Sequence, residues 1–211
     1  MQTSIDFTLY LITDTEMCGG FKRLLQAVEI ALAEGIKAIQ LREKGIPIRD
    51  YLAHAEAMRT VTARQGARLF INDRVDIAVA VEADGVHLGQ AGIPAYAAKA
   101  VAPHLAVGVS AHSIEESQRA ENEGADFVTF GPIYATPSKL RYGDPLGLEP
   151  LGRVVAAVRL PVFGIGGIKK EHLADLRAAG ARGAALISGI LAAADVRKAA
   201  QEYVKIMGEK I

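Results

Sequence analysis

The sequence predicts a single (β/α)8 barrel that occupies residues 1–211 as one domain. Its 211 residues lie near the lower size limit of such barrels. Half of the residues are hydrophobic but only 6% are aromatic, so aliphatic side chains rather than rings are expected to fill the core. Short apolar runs alternate with segments of helical periodicity, which is typical of a parallel sheet covered by helices on both faces. An open doubly wound sheet is the alternative.

The eight predicted strands are short runs rich in aliphatic residues. They cover residues 9–12, 38–41, 69–71, 85–88, 106–109, 127–130, 162–165 and 184–187. Between them, apolar residues recur three or four positions apart, as at Leu24 and Val28. Three predicted helices are followed by Gly35, Gly124 and Gly180, and glycine suits the left-handed position after a helix. No linker or low-complexity tract divides the chain, so the units are expected to close into one barrel.

The charge balance and the single cysteine restrict the classes of partner. Basic and acidic residues number 24 each, so the chain has no net positive field for nucleic acid. Cys18 can form neither an internal disulfide nor a thiolate metal cluster, which fits a reducing compartment. Residues 1–7 lack the features of a signal peptide, and the chain contains no long apolar span. We therefore expect a cytoplasmic protein that binds neither nucleic acid nor membranes.

Polar residues follow the second predicted strand, where the active site of a barrel lies. Gln40, Arg42 and Lys44 alternate along the chain, so they are expected to face the barrel mouth together. An amide and two cations in one place would bind a polyanion such as phosphate. The alternative is that Arg42 pairs with Glu43 at the surface while Lys44 is only solvated.

The third and fourth strands each end in a polar residue with two interpretations. Asp73 is either the N-cap of the next helix or an oxygen ligand for Mg2+ bridging a diphosphate. His87 alternates with apolar neighbours, which favours a structural histidine inside the barrel.

The fifth strand leads into a predicted helix start. Ser110 is expected to point at the barrel mouth. Ser113 and Glu116 have the spacing of a capping box. His112 is a candidate general acid or base, although the sequence identifies no partner for it.

The segment after the sixth strand is the most distinctive of the predicted loops. It runs from Gly131 to Gly147, which exceeds the usual length of such a connection and favours a lid or binding loop. Thr136, Ser138 and Lys139 can all donate hydrogen bonds to a phosphate. A flexible polar loop without function is the alternative.

The seventh and eighth strands end in small residues that precede predicted helices. Gly166 and Gly167 follow the seventh strand, and Ile187 and Ser188 follow the eighth. In barrels, the loops after these two strands are the usual phosphate site. Together with the more cationic group around Arg42, this predicts a mouth that holds two phosphorylated small-molecule substrates.

Seven short motifs, taken together, resemble the thiamine phosphate synthase family. They are QLREK at residues 40–44, INDR at 71–74, DGVHLGQ at 84–90, GPIY at 131–134, TPSK at 136–139, GLE at 147–149 and GGI at 166–168. The resemblance covers nearly the whole chain in order, and the combination is much more specific than any single motif.

The resemblance implies a transferase of thiamine biosynthesis. Such enzymes join 4-amino-2-methyl-5-pyrimidinylmethyl diphosphate to a thiazole phosphate, with Mg2+ as cofactor, and release thiamine phosphate and pyrophosphate. By resemblance, the pyrimidine diphosphate would be held by Gln40, Arg42, Lys44, Asn72, Ser110 and Lys139. The thiazole phosphate would be held by Thr136, Pro137, Ser138, Gly166, Gly167, Ile187 and Ser188. Asp73 would bind Mg2+.

The implied mechanism is dissociative. Mg2+, with Arg42, Lys44 and Lys139, would stabilise the charge on the departing diphosphate while the thiazole nitrogen captures the pyrimidinylmethyl cation. Bond formation of this kind needs no general base, so the lack of a clear partner for His112 does not argue against an enzyme.

One position departs from the family pattern. Members usually carry a second Mg2+-binding aspartate shortly after the Gly-Gln pair of the fourth strand, and here Gly92 takes that place. The metal would lose one carboxylate, and water would have to fill the position, so affinity for Mg2+ should fall.

Two other functions are compatible with such a barrel. A related thiazole phosphate tautomerase would tend to lose Asp73 and to carry a histidine at Pro132, although His112 could serve instead. The second is a non-catalytic barrel that binds thiamine precursors. If it bound thiazole phosphate alone, it would have no use for the diphosphate-binding residues Lys44, Asp73 and Lys139. A homodimer stays a hypothesis, because the outer helix faces do not reveal a partner.

Overall fold

The computed structural model describes residues 5–136 and 144–208, and in them eight parallel strands close into a barrel in sequence order. The strands are β1 (Leu9–Ile12), β2 (Ala38–Leu41), β3 (Arg68–Asn72), β4 (Gly85–Leu88), β5 (Ala106–Ala111), β6 (Phe127–Phe130), β7 (Val162–Ile165) and β8 (Gly183–Leu186). The helices are α1 (Phe21–Ala33), α2 (Ile48–Arg64), α3 (Val75–Ala80), α4 (Ala95–Val101), α5 (Ile114–Asn122), α6 (Leu148–Ala157), α7 (Leu173–Ala178), α8 (Ser188–Leu191) and α9 (Val196–Met207). The predicted (β/α)8 fold is confirmed.

The strand bounds follow the apolar runs closely, with small differences. Strands β3 and β5 are longer than predicted, and β8 begins and ends one residue earlier. The glycines after α1, α5 and α7 all have positive φ, of 103° at Gly35, 86° at Gly124 and 84° at Gly180, so this prediction is confirmed.

Two helical features differ from expectation. A short 3-10 helix at Lys170–His172 precedes α7, so the glycines after β7 do not open a helix directly. Helix α9 follows α8 and was not predicted as a separate element, although it buries Ala200, Tyr203, Val204 and Met207 at helical spacing. Among the described residues, no helix is both long enough and apolar enough to cross a membrane.

The inside of the barrel is aromatic, which corrects the expectation of an aliphatic core. Phe7, Tyr10, Phe70, Phe127 and Phe163 are fully buried and contact one another. The rings of Phe7 and Phe163 stack with centroids 5.2 Å apart, and those of Phe70 and Phe127 meet edge to face at 5.5 Å. The aliphatic residues instead fill the layer between the strands and the helices.

Two glycines in the strands make room for these rings. A Cβ at Gly85 would collide with the ring of Phe70. A Cβ at Gly108 would collide with the ring of Phe127 and lie 2.6 Å from Nδ1 of His87. The barrel therefore accepts Phe70, His87 and Phe127 because the neighbouring strand carries a glycine, without a side chain, beside each of them.

The substitution Gly108→Ala should lower the free energy of unfolding by about 1–3 kcal/mol, because the added methyl overpacks a closed interior. Gly152→Ala in α6 is the matched control, since its Cβ would have only Ala179 O nearby, at 3.8 Å. The control should raise stability by roughly 0.5–1 kcal/mol through lower chain entropy. Urea denaturation of both variants measures the difference, and equal effects of the same sign would contradict this account of the packing.

Candidate active site

The cationic group at the end of β2 lines a pocket at the barrel mouth. Arg42 is half-buried, and its backbone N–H donates to Thr13 Oγ1 at 2.9 Å, while Lys44 is exposed. Both line a pocket of about 500 Å3, whose other wall comes from the segment between β1 and α1. Gln40 is only 1% exposed and lies deeper in the barrel than the two cations. The three side chains thus follow one another from the interior to the surface.

Glu43 does not neutralise Arg42. Its carboxylate, with the side chain 4% exposed, accepts hydrogen bonds from Thr15 Oγ1 and from His54 Nδ1, both at 2.8 Å. The ring of His54 in turn stacks on Phe21 with centroids 3.6 Å apart. The alternative of an Arg42–Glu43 surface pair is therefore wrong, and the charge of Arg42 stays available to an anion.

Asp73 lies at the mouth in a conformation that rules out the capping role. Its φ is 58°, and α3 begins two residues later with Arg74 as N-cap residue. The carboxylate accepts from the backbone N–H of Gly89 at 2.7 Å and from Nδ2 of Asn72 at 2.8 Å. These two hydrogen bonds fix the direction of the carboxylate. Because Asp73 is exposed, the carboxylate is also accessible to a cation.

Gly92 lies directly against Asp73. A Cβ at position 92 would be 3.0 Å from Asp73 Oδ1 and 3.2 Å from the carbonyl of Gly89. Within the described residues, no three histidine, cysteine or acidic side chains come close enough together to hold a metal ion. The described residues therefore offer a cation one carboxylate here, and a side chain at position 92 would require Asp73 to shift slightly.

A layer of buried polar groups lies between the aromatic interior and the mouth. His87 is 2% exposed, as expected for a structural histidine, and its Nε2 lies 3.1 Å from Ser110 Oγ. Burial, and to a smaller extent the positive charge of Arg42, together lower the pKa of His87 to about 3. The imidazole is therefore neutral at physiological pH. Tyr10 OH lies 3.5 Å from Nδ1 of the same ring and accepts a hydrogen bond from Gln40.

His112 is exposed and lies at the rim. Its Nδ1 donates to the carbonyl of Gly131, and its backbone N–H donates to Glu116. Ser113 caps α5 by accepting from the backbone of Glu116, so half of the predicted capping box is confirmed; the Glu116 side chain bonds His112 rather than Ser113. Within the described part of the chain, no carboxylate is hydrogen-bonded to the His112 ring.

The segment after β6 continues beside β7 instead of leaving the barrel at once. Ile133 N–H donates to the carbonyl of Ile165 at 2.9 Å, and Tyr134 N–H donates to Gly166 at 3.0 Å. Gly166 and Gly167, which follow β7, both have positive φ, of 94° and 64°. A Cβ at Gly167 would lie 2.6 Å from the carbonyl oxygen of Ala135, so glycine is required for this close approach.

The candidate thiazole phosphate residues come from neighbouring strands. Gly166 and Gly167 follow β7, while half-buried Ile187 and exposed Ser188 follow β8, which pairs with β7. Thr136 is half-buried at the end of the described segment. Pro137, Ser138 and Lys139 lie outside the described residues.

Two contributors to the site were not recognised from sequence. Tyr10 was treated only as part of an apolar strand, although the alternation Tyr10, Ile12 could have placed it inside the barrel. Thr13, which binds the backbone of Arg42, carried no signal at all.

Comparison with known proteins points in one direction. The family model of thiamine monophosphate synthase matches residues 9–190. A putative thiamine-phosphate synthase of Geobacter sulfurreducens is 49% identical over 204 residues, covering 96% of this chain and 95% of that one. A thiamine-phosphate synthase of Moorella thermoacetica is 45% identical over 200 residues, covering 94% and 95%.

Solved structures of similar fold include one with a thiamine-related activity in its name. The thiamine phosphate pyrophosphorylase of Pyrococcus furiosus superimposes with a TM-score of 0.87 at 40% identity, covering 96% of each chain. A 3-hexulose-6-phosphate synthase, at 24% identity and a TM-score of 0.69, covers 95% of this chain and the whole of its own, and it shares the fold alone.

Acid should destabilise the protein through His87. Its pKa is about 3 in the folded chain against 6.5 ordinarily, so between these values the unfolded chain binds a proton that the folded one rejects. This contribution to the free energy of unfolding is complete above pH 6.5 and falls with pH, by about 1.4 kcal/mol per pH unit at most. Urea denaturation between about pH 4 and pH 7 should give a shallower dependence for His87→Gln. His104→Gln, at an exposed histidine, should keep the slope of the unaltered protein; the same slope in both variants would refute the assignment.

Proposed function

The chain belongs to the thiamine monophosphate synthase family and is an enzyme of thiamine biosynthesis, and we propose that it joins 4-amino-2-methyl-5-pyrimidinylmethyl diphosphate to a thiazole phosphate. The products are thiamine phosphate and pyrophosphate. The observation that carries the proposal is the family match over residues 9–190. The chemistry of the mouth is consistent with it, because cations, an amide and a carboxylate converge on one rim.

The diphosphate end of the first substrate suits the pocket at β2. Arg42 offers a planar fork and Lys44 a point charge, and neither is neutralised by Glu43, which is bonded to Thr15 and His54. Asn72 and Ser110 lie at the ends of β3 and β5 on the same rim. Gln40 lies below them, where an uncharged pyrimidine ring would fit better than a phosphate. Lys139 completes the proposed set.

Mg2+ fits the single carboxylate at this rim. Asp73 presents a hard oxygen ligand that Gly89 and Asn72 hold in place, and diphosphate oxygens and water can complete the shell, since Mg2+ commonly retains several waters. When bound, Mg2+ would supply positive charge to the leaving diphosphate. The role of the chain is to orient Asp73 toward the same phosphates that Arg42 and Lys44 attract.

The thiazole phosphate would bind across β7 and β8. Gly166 and Gly167 bring the backbone close to the loop after β6, and the exposed Ser188 can donate a hydroxyl hydrogen bond. The remaining residues of this proposed site are Thr136, Pro137, Ser138 and Ile187. The two substrates would then meet above the barrel axis, between β2 and β7.

The reaction fits a dissociative course. The bond to the diphosphate breaks first, with its electrons leaving on the phosphate oxygen, where Arg42 and Lys44 stabilise the charge. The thiazole nitrogen then donates its lone pair to the pyrimidinylmethyl carbon. No proton has to move in this step, so an acid–base role for His112 is not required.

Purified protein given both substrates and Mg2+ should release pyrophosphate, and Asp73→Ala should reduce the rate by roughly 100-fold. The matched control is Asp76→Asn, three residues along the chain, where an exposed carboxylate pairs with Arg74. This control should keep the rate of the unaltered protein. Absence of pyrophosphate release together with isomerisation of the thiazole phosphate would overturn the proposal in favour of a tautomerase.

The substitution Gly92→Asp should tighten Mg2+ binding by about tenfold, because it adds the second carboxylate of the family pattern. Asp73 must shift slightly, since the new Cβ would lie 3.0 Å from its Oδ1. Calorimetric titration of Mg2+ in the presence of pyrophosphate measures the affinity. Gly92→Asn separates volume from charge, and equal affinities for the two variants would show that charge at position 92 is irrelevant.

A further inference from the structure

One buried carboxylate joins the two walls of the pocket at the end of β2. Oε1 of Glu43 accepts hydrogen bonds from Thr15 Oγ1 and from His54 Nδ1, each at 2.8 Å. Thr15 belongs to the segment between β1 and α1, and His54 lies on α2. Glu43 itself lies between Arg42 and Lys44, the two cations of the pocket. The carboxylate therefore links three segments of the chain directly beside the candidate diphosphate site.

The direction of both hydrogen bonds follows from the chemistry of the acceptor. An ionised carboxylate can only accept, so the hydroxyl of Thr15 must donate. Nδ1 of His54 must also carry its hydrogen, whether the ring is neutral or protonated. Because both bonds go to the same oxygen, an amide oxygen at position 43 could accept them equally well.

These contacts extend the pairing of β1 with β2 past the end of the backbone ladder. Gln40 is the last residue of β2 that pairs with β1, and its carbonyl accepts from Thr13 N–H at 2.9 Å. Arg42 N–H then donates to Thr13 Oγ1 at 2.9 Å, and the contact between Thr15 and Glu43 comes next. Side chains thus replace backbone pairing where the two segments leave the barrel, and they keep the segments together at the pocket.

His54 acts on this arrangement from outside the pocket. Its ring lies flat on that of Phe21, the first residue of α1, with centroids 3.6 Å apart and planes inclined by 2°. His54 is not one of the described residues that line the pocket. The contact with the pocket therefore runs through the carboxylate of Glu43, whose side chain is only 4% exposed.

We propose that Glu43 and His54 are positioning residues that hold the two walls of the pocket together and thereby keep Arg42 and Lys44 in place for a diphosphate. The inference rests on the proposed function, because it assumes that the diphosphate binds in this pocket. If the segment were loose, the ligand would have to order it, and this would reduce the free energy of binding. In the folded protein, the bonds to Glu43 order the segment before the ligand arrives.

The test is calorimetric titration of pyrophosphate in the presence of Mg2+. His54→Phe keeps a ring on Phe21 but removes the donor, and it should weaken pyrophosphate binding by about five- to tenfold, which corresponds to about one hydrogen bond. Glu43→Ala removes both bonds and should weaken binding at least as much. Glu43→Gln, whose amide oxygen can accept from both donors, should bind pyrophosphate at least as tightly as the unaltered protein.

Arg59→Met is the matched control, because it breaks another contact of α2 at the opposite end of the barrel. Arg59 Nη1 donates to Asp84 Oδ2 at 2.6 Å, and Asp84 immediately precedes β4. The control should lower the free energy of unfolding in urea without changing the affinity for pyrophosphate. Steady-state kinetics give a second measurement. His54→Phe should raise KM for the pyrimidine diphosphate but not for the thiazole phosphate, which would bind across β7 and β8.

The outcomes separate this inference from the proposed function. An unaltered protein that neither binds pyrophosphate nor releases it from the two substrates refutes the proposed function. An unaltered protein that binds pyrophosphate, with the same affinity in folded His54→Phe, overturns the positioning role alone. A loss in Glu43→Gln as large as that in Glu43→Ala would also overturn it, because the charge rather than the shared hydrogen bonds would then matter. An equal loss in Arg59→Met would do the same, since any loosening of α2 would then suffice.

Discussion

Closure of the eight strands into one barrel is the constraint on which the candidate site depends. Each strand pairs with its neighbour in parallel, and β8 pairs with β1, so all carboxyl ends lie on one rim. Gln40, Asp73, Ser110 and Gly166 are far apart in sequence but each lies at the end of a different strand. No local segment could assemble them, and a barrel that failed to close would separate the two halves of the site.

Closure also buries the side chains inside the barrel, and this dictates the polar layer. Groups placed between the aromatic rings and the mouth must satisfy one another, because an unpaired buried donor or acceptor is costly. Tyr10, Gln40, His87, Ser110 and Thr129 do so across five strands. The layer is uncharged, since burial and Arg42 keep the pKa of His87 low. The floor of the site therefore adds no charge to the field of the cations above it.

The fold was predictable because its signals are local, whereas the finer features of the site are not. Apolar runs and glycines after helices carry the strand and helix limits in the sequence itself, and alternation placed Arg42 and Lys44 on one rim. The aromatic interior could not be foreseen, because its rings are dispersed singly over several strands and meet only after closure. The same applies to Tyr10, which lies under Gln40, and to Asp73, which has a positive φ and accepts a hydrogen bond from Gly89, just after the next strand.

Under the proposed function, a glycine at position 92 would affect the binding of the diphosphate as well as the affinity for the metal ion, because of the charges at the mouth. Two cations, Arg42 and Lys44, line the pocket. Glu43 is hydrogen-bonded to Thr15 and His54. The carboxylate of Asp73 is oriented by a hydrogen bond from the backbone of Gly89. A second carboxylate would strengthen the attraction for a free metal ion and weaken that for a diphosphate. With Gly92 in place of a second carboxylate, Mg2+ would gain most by binding together with the diphosphate, which neutralises part of its charge. A site with one carboxylate would therefore couple metal binding to substrate binding more tightly than a site with two.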